Sequence, residues 1–139
     1  MALTAYKFDC FYEDAFEKVH NLGSDTFKIA LSNTAPTVAT DDEFADITEI
    51  SAGNGYTAGG DTVTVSSSSQ SGGTYTWVMS GEASWTASGG NIGPFRYYVL
   101  YNDTAANDEL ICYWDLGASI TLNDGDEFAL NLSTILTVS

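Results

Sequence analysis

Positive charge is scarce in this sequence of 139 residues: Lys7, Lys18, Lys28 and Arg96 stand against nineteen Asp and Glu. The formal net charge is −15 and the sequence pI is near 4.1. A nucleic-acid backbone is bound mainly by Lys and Arg contacts that release its counterions, and no basic stripe can be drawn from four residues. Direct nucleic-acid binding is therefore not expected. From Ile29 onward fourteen acids face a single arginine. Anionic membranes repel such a surface, basic partner surfaces attract it, and the charge also serves solubility.

Cysteine and histidine are equally sparse. Cys10 and Cys112 are far apart, and neither has a second thiol or a histidine at metal-ligand spacing. Two buried free thiols are the expectation, with no metal and no disulfide framework. His20 is the one histidine; it falls near the end of a predicted helix, where a capping or surface role suits an imidazole. No Ser-His-Asp or Cys-His pairing and no Gly-x-Ser-x-Gly elbow is present, so acyl transfer has no nucleophile. Any two of the acids can meet in space as a glycosidase pair, but nothing selects a pair. No catalytic residue and no cofactor is assigned.

Long apolar runs are missing too. No stretch approaches membrane-spanning length, and no cationic segment followed by an apolar run marks a secretory leader. The expectation is a soluble protein made in a cytoplasm.

Two loops invite a ligand reading and lose it on spacing. Gly53-Asn54-Gly55-Tyr56-Thr57-Ala58-Gly59-Gly60 looks superficially like a phosphate loop. Its third glycine comes one position late, no Lys follows, and Asp61 to Val65 reads as a strand where a helix must begin. It reads as a turn needing positive φ. The acid clusters Asp41-Asp42-Glu43 and Asp124-Gly125-Asp126-Glu127 match no calcium loop. The first reads as a solvated loop and the second as a hairpin turn.

What is present is a 44% hydrophobic, 13% aromatic chain, the composition and size of one globular domain over residues 1–139. Tyr12, Ala15, Phe16 and Val19 recur at helical spacing, which predicts a helix over Cys10 to Leu22 with Asp9 as N-cap, Gly23 as stop and that stripe docked inward. After Gly23 the period falls to two: Phe27 to Leu31, Val63 and Val65, Thr74 to Met79, Phe95 to Tyr101, Leu110 to Asp115 and Glu127 to Ser133 read as strands. Ile47 to Ile50 and Ala83 to Thr86 read as fainter ones. Ser66 to Gly73 reads as a long hairpin tip or a loop between sheets.

Short strands with turn signals between them predict a mainly β fold, a single antiparallel β-sandwich, of jelly-roll or another sandwich topology, with one short N-terminal helix. Most aromatics are assigned to its core. Tyr98 and Tyr113 alternate to the opposite face from Tyr97, Val99 and Tyr101, which makes them candidate interface residues, and Trp85 or Tyr98 would serve a sugar-binding alternative. Residues 1–9 read as an arm whose Leu3, Tyr6 and Phe8 become ordered on a partner.

Three strings carry a resemblance: Ala45 to Gly60, Gly90 to Thr104, and Trp114-Asp115-Leu116-Gly117 with Ser119 to Leu122. Over most of the chain, from about Phe11 to Phe128, the sequence resembles a family of small structural proteins of tailed bacteriophages. The resemblance implies a non-enzymatic virion component, similar to head decoration or cement proteins that clamp the outside of an expanded capsid. The implied partners are the major capsid protein and further copies of the chain in a dimer or trimer; the implied location is the capsid exterior after synthesis in the host cytoplasm. A tail or adsorption component is the alternative within virions, and a carbohydrate-binding module the alternative outside them.

Overall fold

The computed structural model describes residues 4–80 and 82–139. Among the described residues nine strands and one α-helix follow in order: β1 Tyr6–Lys7, α1 Cys10–Phe16, β2 Phe27–Ser32, β3 Asp61–Ser71, β4 Thr74–Ser80, β5 Glu82–Thr86, β6 Ile92–Asn102, β7 Leu110–Leu122, β8 Glu127–Asn131 and β9 Thr134–Val138. A single 3-10 turn, Phe44–Asp46, interrupts the long connection from β2 to β3. The fold is mainly β and antiparallel, with one short helix near the N-terminus.

Seven strands form one curled sheet in the order β1-β7-β6-β2-β3-β4-β9, and β5 with β8 form a separate two-stranded ribbon. The strands are thus not shared between two jelly-roll sheets of equal size. The curl is built into β3, whose first residues pair with β2 while Thr64 to Ser71 pair with β4, with a register shift between Val65 and Ser67. An extra residue on one strand bends a sheet at that point. Ser66 to Ser71, expected as loop, belong to this strand, and the turn is confined to Gly72 and Gly73, both at positive φ. Two consecutive left-handed residues are what a two-residue hairpin needs.

The ribbon lies over the main core: Ala83, Trp85 and Leu130 join Phe27, Leu31, Trp77, Phe95, Leu100 and Trp114 in one buried cluster. A second cluster on the opposite face of β2 and β6 gathers Phe8, Ala30, Ile47, Val99, Tyr101 and Leu110. Both faces of the central strands are therefore covered, as the unbroken apolar run Tyr97 to Tyr101 requires. Gly60 lets the β2–β3 connection press onto β2, because a Cβ there would collide with the Ile29 carbonyl oxygen.

Several elements differ from their sequence-based expectation. Ile47 to Ile50 form no strand, only a bridge from Glu49 to Ser32, since Ile47 is held inward directly after the 3-10 turn. The Asn123-to-Asp126 turn exists, with Asp126 N donating to Asn123 O at 2.8 Å. It joins β7 to the ribbon instead of closing a hairpin. β1 and β9 carry no alternation signal: β1 is two residues long, and Ile135 and Leu136 in β9 are both buried.

Candidate functional site

α1 is shorter than its pattern because the chain leaves helical geometry at Lys18, which takes φ 71°. Val19 N donates to Asp14 O at 2.8 Å across that residue, the six-to-one bond that closes a helix end around a left-handed residue. Lys18 is the stop; Gly23 is not. Asp9 occupies the N-cap position but its side chain makes no cap bond.

Of the expected stripe, Ala15 packs inward whereas Tyr12 and Phe16 do not. Phe11 is buried, stacked on His20 with ring centroids 5.6 Å apart, and Ala15 packs beside it. With the i and i+4 pair of Phe11 and Ala15 facing inward, Tyr12 and Phe16 are rotated into solvent: Tyr12 is 48% exposed and Phe16 85%. Burying a Phe is worth about 1.5–3 kcal/mol, a gain the isolated chain forgoes at Phe16.

Beside this helix lies an open cleft of about 410 Å³. Asp9, Cys10, Glu13 and Asp14 line it from the start of α1, Asp42 and Glu43 from the loop before the 3-10 turn, and Asn107 and Glu109 from the approach to β7. Backbone bonds hold the walls together: Asp9 N donates to Val38 O at 3.0 Å, Phe44 N to Asp108 O at 3.0 Å and Leu110 N to Asp42 O at 2.9 Å. No Lys or Arg lines the cleft, and among the described residues none of its carboxylates is paired with one. Asp14 shows the effect: burial first, then the charges of Glu109, Glu13 and Asp42, push its carboxyl above the ordinary range. Burial and Asp14 push the Cys10 thiol up to about 12. It is a protonated thiol at neutral pH, without the thiolate that nucleophilic chemistry needs.

His20, expected as a cap or surface residue, is buried behind the helix. Asn102 Nδ2 donates to its Nδ1 at 3.0 Å and also to Asp25 Oδ2 at 2.7 Å. Among the described residues the buried His20 Nε2 has no hydrogen-bond partner, and it sits 4.0 Å from Asp14 Oδ2, a cleft carboxylate. Desolvation lowers the His20 pKa, so the ring adds no charge to offset the cleft. Among the described residues no group of three His, Cys, Asp or Glu is placed to hold a metal ion. Six carboxylates line the cleft, those of Asp9, Glu13, Asp14, Asp42, Glu43 and Glu109.

The residues singled out in the sequence fall in different places. Leu3 lies outside the described residues. Tyr6 is 47% exposed and pairs with Tyr113 across β1 and β7, their rings stacked at 5.2 Å. This is the one pair of the set that meets on the surface. Phe8 is fully buried in the second cluster, so from Tyr6 onward the expected arm is part of the fold and not free to be ordered by a partner. Tyr98 is also buried, stacked on Trp114 at 4.8 Å. Alternation assigned it to an outer face, but from Tyr97 to Tyr101 β6 is buried on both faces. Trp85 is buried against Phe128, so neither Trp85 nor Tyr98 offers the exposed ring that sugar stacking needs.

The loop strings carry structure. Tyr56 Oη donates to Glu49 Oε2 at 2.9 Å and accepts Leu31 N at 3.0 Å, while Gly59 N donates to the same Glu49 oxygen at 2.6 Å. Arg96 on β6 grips Asp115 on β7 through Nε and Nη2 at 2.7 and 3.0 Å, which holds the Asp115 carboxyl below its ordinary range. Sequence reasoning missed the exposed Tyr12 and Phe16 and the cleft beside them. The competing stripe of Phe11 with Ala15, and the acids at 13 and 14 on the same short helix with Asp9 at its N-cap, were the available signals.

No protein-family model matches the chain, and no curated protein or solved structure matches it either.

Proposed function

We propose that this chain is a non-enzymatic structural protein of a phage virion, a decoration module that binds the outside of the expanded head and stabilises it, with the major capsid protein as its partner. The virion assignment rests on the sequence resemblance. The observation that supports a binding role is the α1 face, where an 85% exposed Phe16 and a half-exposed Tyr12 stand beside an unpaired acidic cleft. Exposed aromatic rings on an otherwise well-packed fold are typical anchors of a protein interface.

A module that binds only the assembled shell shifts the equilibrium toward that shell by mass action, so many modest contacts suffice. Such a role needs a rigid fold and apolar anchors. The two buried clusters and the tied loop of Glu49 and Tyr56 supply the first, and α1 supplies the second. Symmetric capsid sites suit a dimer or trimer of the chain. Its place would be the capsid exterior, after synthesis in the host cytoplasm.

Co-sedimentation of the purified protein with expanded and unexpanded heads that lack it tests this reading. Saturable binding to expanded heads at hundreds of copies per particle is the expected result. A few copies confined to tailed particles would move the assignment to the tail, and binding to neither shell would sink it.

A further inference from the structure

Building on the docking reading above, we propose that the α1 face receives a basic segment of the partner protein: Phe16 and Tyr12 take its apolar or guanidinium groups, and the cleft carboxylates of Glu13, Asp42, Glu43 and Glu109 take its Lys or Arg charges. Tyr12 and Phe16 are four residues apart on the helix and so lie on one face, with Glu13 three residues before Phe16. A segment that contacts the rings therefore reaches the cleft within one helical turn.

The occupant is selected by charge. The cleft gathers the carboxylates of α1, of the loop before the 3-10 turn and of the approach to β7, without a cationic side chain among its lining residues. The fully buried Nε2 of His20, unpartnered and facing Asp14, adds no counter-charge because the ring is held neutral. Mutual repulsion among these acids is relieved by a cation from outside. Arginine fits both halves of the surface, since its guanidinium pairs with carboxylates and stacks on aromatic rings.

A second copy of this chain is the poorer occupant, because a two-fold contact through this face would set carboxylates against carboxylates. A bare divalent ion is poorer too: among the described residues no three acidic, His or Cys ligands converge, and an ion leaves the rings uncovered.

The test is fluorescence anisotropy of a labelled peptide alternating Arg and Leu, with a Glu-and-Leu peptide as control, against the wild-type chain and the variants Phe16→Ser and Glu13→Gln/Asp42→Asn. Thermal melts check that the surface variants remain folded. The expected result is one-site binding of the basic peptide alone, weakened about tenfold or more by either variant, as for central interface anchors. Equal affinity in Phe16→Ser overturns the site, leaving unspecific attraction to an acidic protein. Displacement of the peptide by micromolar calcium, or a dimer broken by Phe16→Ser in sedimentation equilibrium, overturns it in favour of the ion or the second copy. Head co-sedimentation separates the two readings. Heads bound equally by wild type and Phe16→Ser would leave decoration standing and overturn this site; a peptide held through Phe16 by a chain that binds no head would do the reverse.

Discussion

Asn102 donates a hydrogen from Nδ2 to His20 Nδ1 at 3.0 Å, joining the end of β6 to the segment that follows α1. The amide orientation is fixed by its other end, where Asn102 Oδ1 accepts the backbone N–H groups of Thr104 and Ala105. Because Nδ1 accepts, the neutral ring carries its proton on Nε2, the atom left without a partner 4.0 Å from Asp14. Burial, opposed by Glu109 and Asp25, holds the His20 pKa below 6.5.

The sign of the pH effect follows. As pH falls through 6.5 the unfolded chain takes up the proton first, so stability declines toward the lower folded pKa. We expect the melting temperature of the wild type to fall between about pH 7 and pH 5, and to fall less in His20→Gln. Parallel pH profiles of the two proteins would contradict this. Imidazole nitrogen shifts at neutral pH check the tautomer directly.

Tyr56→Phe removes a hydroxyl that accepts from Leu31 N and donates to Glu49. Leu31 is fully buried, and among the described residues Glu49 keeps only Gly59 N as a bonded donor. Leaving one buried backbone donor unsatisfied costs about 1–3 kcal/mol. Urea unfolding should show that loss with an unchanged slope; an unchanged midpoint would mean that the loop does not depend on this tie.

Gly60→Ala should cost more than its single methyl suggests. The residue sits at φ 84° and its missing Cβ is the space occupied by the Ile29 carbonyl. The left-handed conformation alone costs a side chain about 1–3 kcal/mol, and the collision forces the connection off β2. Gly72→Ala, with nothing near its Cβ, is the control for conformation without collision, and denaturant midpoints should rank the two in that order.

The strand content was legible because alternation survives where one face of a strand is buried, as at Trp77 and Met79 in β4. It misled at Tyr97 to Tyr101, where an apolar residue at every position marks burial on both sides; period-two logic still forced an outer face on Tyr98. The helix was legible in existence but not in rotation. Tyr12 with Phe16 and Phe11 with Ala15 fit helical spacing equally well, and only tertiary contact with His20 and the core decides between them. The cleft was illegible for a different reason, since residues 9–14, 42–43 and 107–109 become neighbours only through the strand pairing.

Asp14 links the fold to the docking proposal. Its carboxyl is raised by burial first, lowered by the Cys10 thiol, and raised again by Glu109, Glu13 and Asp42. A raised folded pKa favours the folded state at low pH, and that contribution is lost as pH rises through it. A bound cation opposes the same repulsion and pulls the Asp14 pKa back down. By linkage, affinity for the basic peptide must then rise with pH through the Asp14 titration and level off above it. Asp14→Asn should flatten this rise while leaving binding at neutral pH through Glu13, Asp42 and the two rings. Carboxyl carbon shifts of Asp14, titrated with and without the Arg-and-Leu peptide, give the decisive comparison: superimposable curves would place the peptide elsewhere, and a downward displacement would place its charge in the cleft.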